Sequence, residues 1–194
     1  MFNGIIYKQG RVISKRYTNS SCVLDIKSSM KFKKKEIGSS VSCNGVCLTL
    51  IKVKNKLLSF FLSRETLDKS NFKNIKVGNN INIEKPMIFG QDVSGHFIQG
   101  HVDTTGEVVK LLNGKKTWIL NIKIPKKHRK FLVYKSSISI NGVSLTISKI
   151  VKNGFEVNII PHSLKLTNLI NINKNDIVNI ELDLFSKYLL KLGN

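Results

Sequence analysis

Hydrophobic positions in this chain alternate with polar ones in short runs, and the runs come twice. After Asn44-Gly45, residues Val46, Leu48 and Leu50 fall on one face of an extended segment and Cys47, Thr49 and Ile51 on the other. After Asn141-Gly142, Val143, Leu145 and Ile147 oppose Ser144, Thr146 and Ser148 in the same way. A period of two predicts half-buried β-strands. Further runs rich in Ile, Val, Leu and Thr are punctuated by Asn113-Gly114 and Asn153-Gly154, which are hairpin signals. Helical periodicity is confined to a few places. Leu184, Tyr188 and Leu192 recur at i, i+4 and i+8 with Phe185 and Leu189 beside them, which predicts an apolar-striped helix at the end. Shorter helices are expected over residues 65–71 and 125–131.

The pattern is a duplication. Ser40-Val-Ser-Cys-Asn-Gly-Val-Cys-Leu-Thr49 returns as Ser137-Ile-Ser-Ile-Asn-Gly-Val-Ser-Leu-Thr146, a step of 97 residues in a chain of 194. Ile81-Asn-Ile-Glu84 returns as Val178-Asn-Ile-Glu181 at the same step, and Gly4 and Gly10 return as Gly100 and Gly106. The period is too long for a solenoid, so each copy must bury its own core. About six short strands per copy are best closed into a barrel, which leaves no free edge. The expectation is an all-β chain: two similar six-stranded antiparallel Greek-key barrels over residues 1–96 and 97–183, and a C-terminal helix over 184–194. That helix either plugs a barrel or meets equivalent helices in an oligomer; the second is favoured because closed barrels need no lid.

The formal charge of +20 would suit a polyanion partner. The Lys residues are spread along the chain, however, as in Lys31-Phe-Lys-Lys-Lys35 and Lys126-Lys-His-Arg-Lys130, without aromatic pairs interleaved for base stacking. Lys, Asn and Ile are all abundant and share AT-rich codons, so mutational bias is the favoured explanation and no nucleic-acid partner is expected. Three cysteines, Cys22, Cys43 and Cys47, fit no disulfide framework and favour a reducing cytoplasm. No apolar run approaches membrane-spanning length, and the start has no signal-peptide pattern, so neither a membrane nor export is expected.

The polar strand faces are the first candidates for chemistry. Each carries a thiol or hydroxyl and, about 7 Å further along, a second hydroxyl. At a barrel mouth such a pair could hydrogen-bond the edge of a flat polar heterocycle; an ordinary solvated strand face is the competing reading. His96 and His101 bracket Phe97-Ile-Gln-Gly100, and Cys43 precedes Cys47 by four, but neither spacing makes a zinc site. No phosphate loop, dinucleotide fingerprint or nucleophile elbow is present, so no metal and no organic cofactor are expected.

Met1-Phe-x-Gly-Ile5, the repeated Asn-Gly-Val-Cys/Ser-Leu-Thr phrase, Gly95-His-Phe-Ile-Gln-Gly-His101 and Glu181-Leu-Asp-x-x-x-Lys-Tyr188 together resemble the riboflavin synthase family of the alpha-chain type, over the whole chain. The resemblance implies paired six-stranded barrels, a homotrimer built by the C-terminal helix, and a cofactor-free dismutation. Two molecules of 6,7-dimethyl-8-ribityllumazine would occupy each active site, between the N-terminal barrel of one subunit and the C-terminal barrel of its neighbour. One would give a four-carbon unit to the other, yielding riboflavin and 5-amino-6-ribitylaminouracil. Association of the trimer with lumazine synthase stays open.

Carried onto this sequence, the first lumazine site uses Gly4, Ile5, Ile6, Cys47, Leu48, Thr49, Leu62, Ser63, Arg64, Glu65 and Thr66. The second uses Gly100, His101, Val102, Lys135, Ser144, Leu145, Thr146, Ile160, Pro161, His162, Ser163, Leu164 and Lys165. His101 is the candidate base for the acidic 7-methyl group, because its ordinary pKa suits proton transfer near neutrality. Cys47, Ser40 and Asp183 are candidates for activating the acceptor; Cys47 has the sharper claim because its counterpart is Ser144. Arg64 stands where relatives have Lys, Ser163 where Thr is expected and Ser139 where Gly is common, and Arg for Lys is the least neutral of these. Two rivals remain: a non-catalytic lumazine or flavin carrier of the same fold, and a basic surface-binding barrel.

Overall fold

The computed structural model describes residues 1–18, 20–114 and 117–192. The last two residues of the expected helical segment, Gly193 and Asn194, and the residues following the Asn113-Gly114 signal lie outside that set.

Six strands form the first closed barrel: β1 (Lys8–Tyr17), β2 (Ser21–Ser28), β3 (Ser40–Cys43), β4 (Val46–Lys54), β5 (Leu57–Ser63) and β6 (Asn80–Glu84), all paired antiparallel in the order β1-β2-β5-β4-β3-β6. The second barrel contains β7 (Thr104–Asn113), β8 (Trp118–Lys123), β9 (Ser137–Ile140), β10 (Val143–Val151), β11 (Gly154–Ile159) and β12 (Ile177–Leu182), with the equivalent order. Three helices complete the chain: α1 (Arg64–Lys69), α2 (Pro161–Leu166) and α3 (Leu184–Leu192). The expected helix over 125–131 is a 3-10 turn at Lys126–Phe131.

Alternation explains the barrels. Val46, Leu48 and Leu50 enter the first core beside Leu24, Ile26, Phe60 and Ile81; Val143, Leu145 and Ile147 enter the second beside Leu120, Ile122, Phe155 and Ile180. Bulges fall at matching places, between Leu50 and Lys52 and between Ile147 and Lys149, and they bend equivalent strands around equivalent cores.

The repeated Asn-Gly turns do a second job. Asn44 and Asn141 sit at φ 46° and 47° and their glycines at 77° and 78°, the left-handed pair that a tight hairpin requires. The two turns lie back to back: a Cβ on Gly45 would stand 2.7 Å from the Gly142 nitrogen, and one on Gly142 equally close to the Gly45 nitrogen. Around them runs a belt of six buried asparagines. Asn82 Nδ2 donates to the Asn141 carbonyl at 2.9 Å and Asn179 Nδ2 to the Asn44 carbonyl at 2.8 Å. Asn168 N–H donates to Asn82 Oδ1 and Asn71 N–H to Asn179 Oδ1. Every bond has a counterpart 97 residues away, so one polar seam joins the halves with near two-fold symmetry. Buried polar groups hold only when paired, which makes this seam intolerant of single changes.

Candidate functional site

The outer wall of each barrel carries the polar faces. Ser40 pairs with Thr49 and Ser42 with Cys47; Ser137 pairs with Thr146 and Ser139 with Ser144. Cross-strand partners share a face, so each wall shows two rungs of small hydroxyls and, on the first, a thiol. The expectation that these pairs sit in a barrel mouth is corrected: both barrel interiors are filled with aliphatic and Phe side chains, and the rungs face outward. Cys47 and Ser144 are half-buried, while Ser40, Thr49 and Thr146 are exposed.

Two straps cross these walls, and they change the grouping read from sequence. Residues 1–6 and 95–102 run antiparallel, with Phe2 and Ile98 exchanging hydrogen bonds of 2.7 and 3.0 Å. From that crossing each strap reaches the barrel other than the one whose first strand it enters. The Gly4 carbonyl accepts from Ser144 N–H at 2.9 Å, and the Gly100 carbonyl from Cys47 N–H at 2.8 Å. Ile6 is buried in the second core, and Val102 packs on the first. Gly4 to Ile6 therefore belong with Ser144 to Thr146, and Gly100 to Val102 with Cys47 to Thr49, the reverse of the expected assignment. The reason is steric: a Cβ on Gly4 would lie 2.7 Å from the Ser144 nitrogen, and one on Gly100 2.9 Å from the Cys47 nitrogen, so only glycine allows the straps to lie flat.

A buried carboxylate clamps each strap from the other side. Glu84 accepts from Asn3 N–H at 2.7 Å and from Gly4 N–H at 3.1 Å; Glu181 accepts from Gln99 N–H at 2.7 Å and Gly100 N–H at 2.9 Å. Burial pushes both carboxyls up to about 7, outweighing the N–H bonds that favour the charged form. Glu84 and Glu181 stand at the 97-residue step of the repeat, a signal of equivalence that carries no indication of this role in sequence alone.

The remaining expected residues divide by direction. Leu48, Leu62, Leu145 and Leu164 turn into the cores and offer a ligand only their backbone. Ser63 caps α1 by accepting from Thr66 N–H at 3.2 Å, and Arg64 pairs with Asp68. Arg64 lines a groove with Tyr17 and Leu67, and Pro161, Leu164 and Lys165 line the equivalent groove with Trp118. Glu65 is exposed and ion-paired with Lys69. Ile160, Pro161 and His162 are exposed at the start of α2, and Ser163 is half-buried. His101 is exposed one residue beyond Gly100.

Lys135 occupies a left-handed backbone position, φ 68°, where its counterpart is Gly38 at φ 94°. Both residues donate N–H to the following long strand, Lys135 to the Ile147 carbonyl and Gly38 to that of Leu50. A non-glycine residue is uncommon in this backbone region and carries a steric cost there. Asp183 accepts from Phe185 N–H at 2.9 Å and so caps α3. His96, outside the expected set, meets the second wall directly: its Nδ1 lies 2.7 Å from Ser144 Oγ. Among the described residues no cluster of three or more His, Cys, Asp or Glu side chains is placed to hold a metal ion.

Helix α3 lies outside both barrels. Lys187 pairs with Asp103 at 3.0 Å, and Phe185 meets Phe97 edge-on at 6.5 Å between ring centres. The predicted stripe is largely bare: Phe185, Tyr188, Leu189 and Leu192 are 61%, 59%, 68% and 83% exposed. No helix among the described residues is long and apolar enough to cross a membrane.

Comparison with known proteins agrees with the duplication. The family model for the lumazine binding domain matches residues 3–86 and again 99–183. The riboflavin synthase of Photobacterium leiognathi is 35% identical over 194 residues, covering 99% of this chain and 88% of that one. Those of Mycobacterium tuberculosis (strain H37Rv) and Bacillus subtilis (strain 168) are 33% and 30% identical, covering 98% and 89% of their lengths and 99% and 98% of this chain. Among solved structures, LumP complexed with 6,7-dimethyl-8-(1'-D-ribityl) lumazine superposes with a TM-score of 0.81 at 25% identity, over 93% of this chain and 98% of that one. LumP complexed with riboflavin gives 0.84 at 24% identity over 94% and 99%, a likeness of fold.

Proposed function

Since this chain belongs to the riboflavin synthase family and carries two lumazine-binding domains, we infer that it catalyses the dismutation of two 6,7-dimethyl-8-ribityllumazine molecules to riboflavin and 5-amino-6-ribitylaminouracil. The observation that carries this reading is the pair of like walls, each with a strap glycine held against the residue after Asn-Gly-Val. Two copies of one substrate need two surfaces of nearly one shape, and holding both in register supplies a large share of rate acceleration.

The walls face outward from the filled cores, so a second molecule has to cover a bound heterocycle and exclude water. The bare stripe on α3 supports a homotrimer in which the N-terminal barrel of one subunit faces the C-terminal barrel of the next. In that arrangement the Cys47 wall with Thr49, Ser40 and the strap through His101 takes one lumazine. The Ser144 wall with Thr146, Ile160, Lys135 and the Gly4 strap takes the other. His101 is placed to remove a methyl proton, Cys47 and Ser40 to assist addition at the acceptor, and Asp183 to orient α3 and the strap beside it. Three free thiols fit a cytoplasmic protein.

The test is incubation of purified protein with 6,7-dimethyl-8-ribityllumazine in a metal chelator while following riboflavin fluorescence. Riboflavin formed with an equimolar amount of the uracil product supports the reading. Stoichiometric binding without riboflavin overturns it in favour of a carrier. Removal of residues 184–194 is expected to give monomers with under about a tenth of the activity, measured by sedimentation and turnover.

A further inference from the structure

The two walls differ at one atom-level contact. Ser144 Oγ has an imidazole 2.7 Å away, His96 Nδ1, whereas among the described residues no imidazole hydrogen-bonds the Cys47 thiol. His96 is firmly placed for this contact. Its N–H donates to the Asn3 carbonyl at 3.2 Å, and the preceding Gly95 is wedged so tightly that a Cβ there would lie 2.9 Å from Ser144 Cβ and 2.0 Å from the Asn3 oxygen. The ring is half-buried, and burial lowers its pKa against the opposing charge of Asp183, so it is neutral and has one nitrogen free to accept.

Resting on the lumazine reading above, we propose that His96 is a positioning residue for the C-terminal half-site. Its unprotonated Nδ1 accepts a hydrogen bond from the Ser144 hydroxyl, which keeps its proton, and this leaves Ser144 Oγ as an acceptor for the single ring N–H of the lumazine. A hydroxyl with a free rotor can either donate or accept; one committed to His96 can only accept toward the ligand. The two half-sites then read the same pyrimidinedione edge through different groups: a fixed hydroxyl acceptor in one, an uncommitted thiol in the other. That difference gives two chemically identical substrates distinct orientations before any bond changes.

The test is a double-mutant cycle with His96→Ala, Ser144→Ala and the pair, reading kcat/KM for 6,7-dimethyl-8-ribityllumazine and its Kd by fluorescence titration. Each single variant is expected to lose about tenfold in both readouts, the value of one well-made hydrogen bond, and the double variant no more than either. His96→Asn, whose amide oxygen can replace Nδ1, should recover to within about threefold of wild type. Nitrogen-15 NMR of the unaltered protein should show His96 Nδ1 unprotonated. An unchanged His96→Ala variant, multiplicative losses in the double variant, or a protonated Nδ1 would each overturn the proposal. A wild type that binds lumazine but forms no riboflavin would refute the enzymatic reading alone, since the Kd cycle still tests His96.

Discussion

The two barrels share one architecture, with cores that trade Leu58 for Phe155 and Phe60 for Val157, and their outer walls differ at particular residues. Strand order, bulge positions, Asn-Gly turns and the asparagine seam repeat at the same 97-residue step. Outside, Cys47 is replaced by Ser144 with its His96, Gly38 by Lys135, and the Arg64–Asp68 pair by Pro161 and Lys165. A buried, hydrogen-bonded polar seam penalises change on either side more than an outward wall does. On the walls the copies keep Ser40 as Ser137, Ser42 as Ser139 and Thr49 as Thr146, so the exchange of Cys47 for Ser144 is the difference that a bound heterocycle would meet.

The sharpest way to break the likeness is at the contact where both halves meet. Gly45→Ala and Gly142→Ala each drive a methyl into the opposite turn, and each is expected to cost more than about 3 kcal/mol, enough to show as a large fall in the urea midpoint. Similar losses from both would support the two-fold seam; a mild effect from one alone would contradict it. Next in size is the walls' chemical difference. Cys47→Ala should lower kcat more than about tenfold and Cys47→Ser less than about threefold, in steady-state assays, because a hydroxyl retains the polar contact.

The buried carboxylates make a matched pair of smaller effects. A carboxyl whose pKa is raised on folding holds its proton in the native state while the unfolded chain has lost it. Unfolding stability therefore declines as pH rises from the ordinary value of 4.5 through about 7. Thermal melts between pH 5 and 8 should show this decline, and Glu84→Gln and Glu181→Gln should each flatten it by a similar amount. Smallest, Lys135→Gly should raise stability by about 0.5–1 kcal/mol by relieving the left-handed backbone while weakening lumazine binding. A destabilised Lys135→Gly variant would contradict the steric cost assigned to this position.

Much of this was legible because alternation is a local property. Val46, Leu48 and Leu50 had to face one way and Cys47 and Thr49 the other, and the closed barrels follow from too many short strands with no partner for an edge. What sequence could not supply was which surface a segment crosses to. The 97-residue step equates Gly4 with Gly100 but says nothing of whether each lies on its own barrel or the other one. The inward turn of Leu62 and Leu164 was hidden for a related reason, since a site described as a stretch of backbone does not specify side-chain direction. The asparagine seam was masked by composition, because Asn is common throughout. Its signal was present all the same: Asn82 and Asn179 are polar residues repeated between aliphatic neighbours on strands, where an unpaired amide would be costly.

The crossed straps also bear on how the chain comes off the ribosome. Ile6 precedes every strand of both barrels, yet the core that receives it is lined by strands that run on to Leu182. The N-terminal barrel can close around its own strands during synthesis and Glu84 can hold Asn3 and Gly4, but Ile6 has no core to enter until the second barrel is complete. The seating of Ile6 thus waits on strands made long after it, and it is the contact that slow or interrupted synthesis of the second barrel would leave unmade.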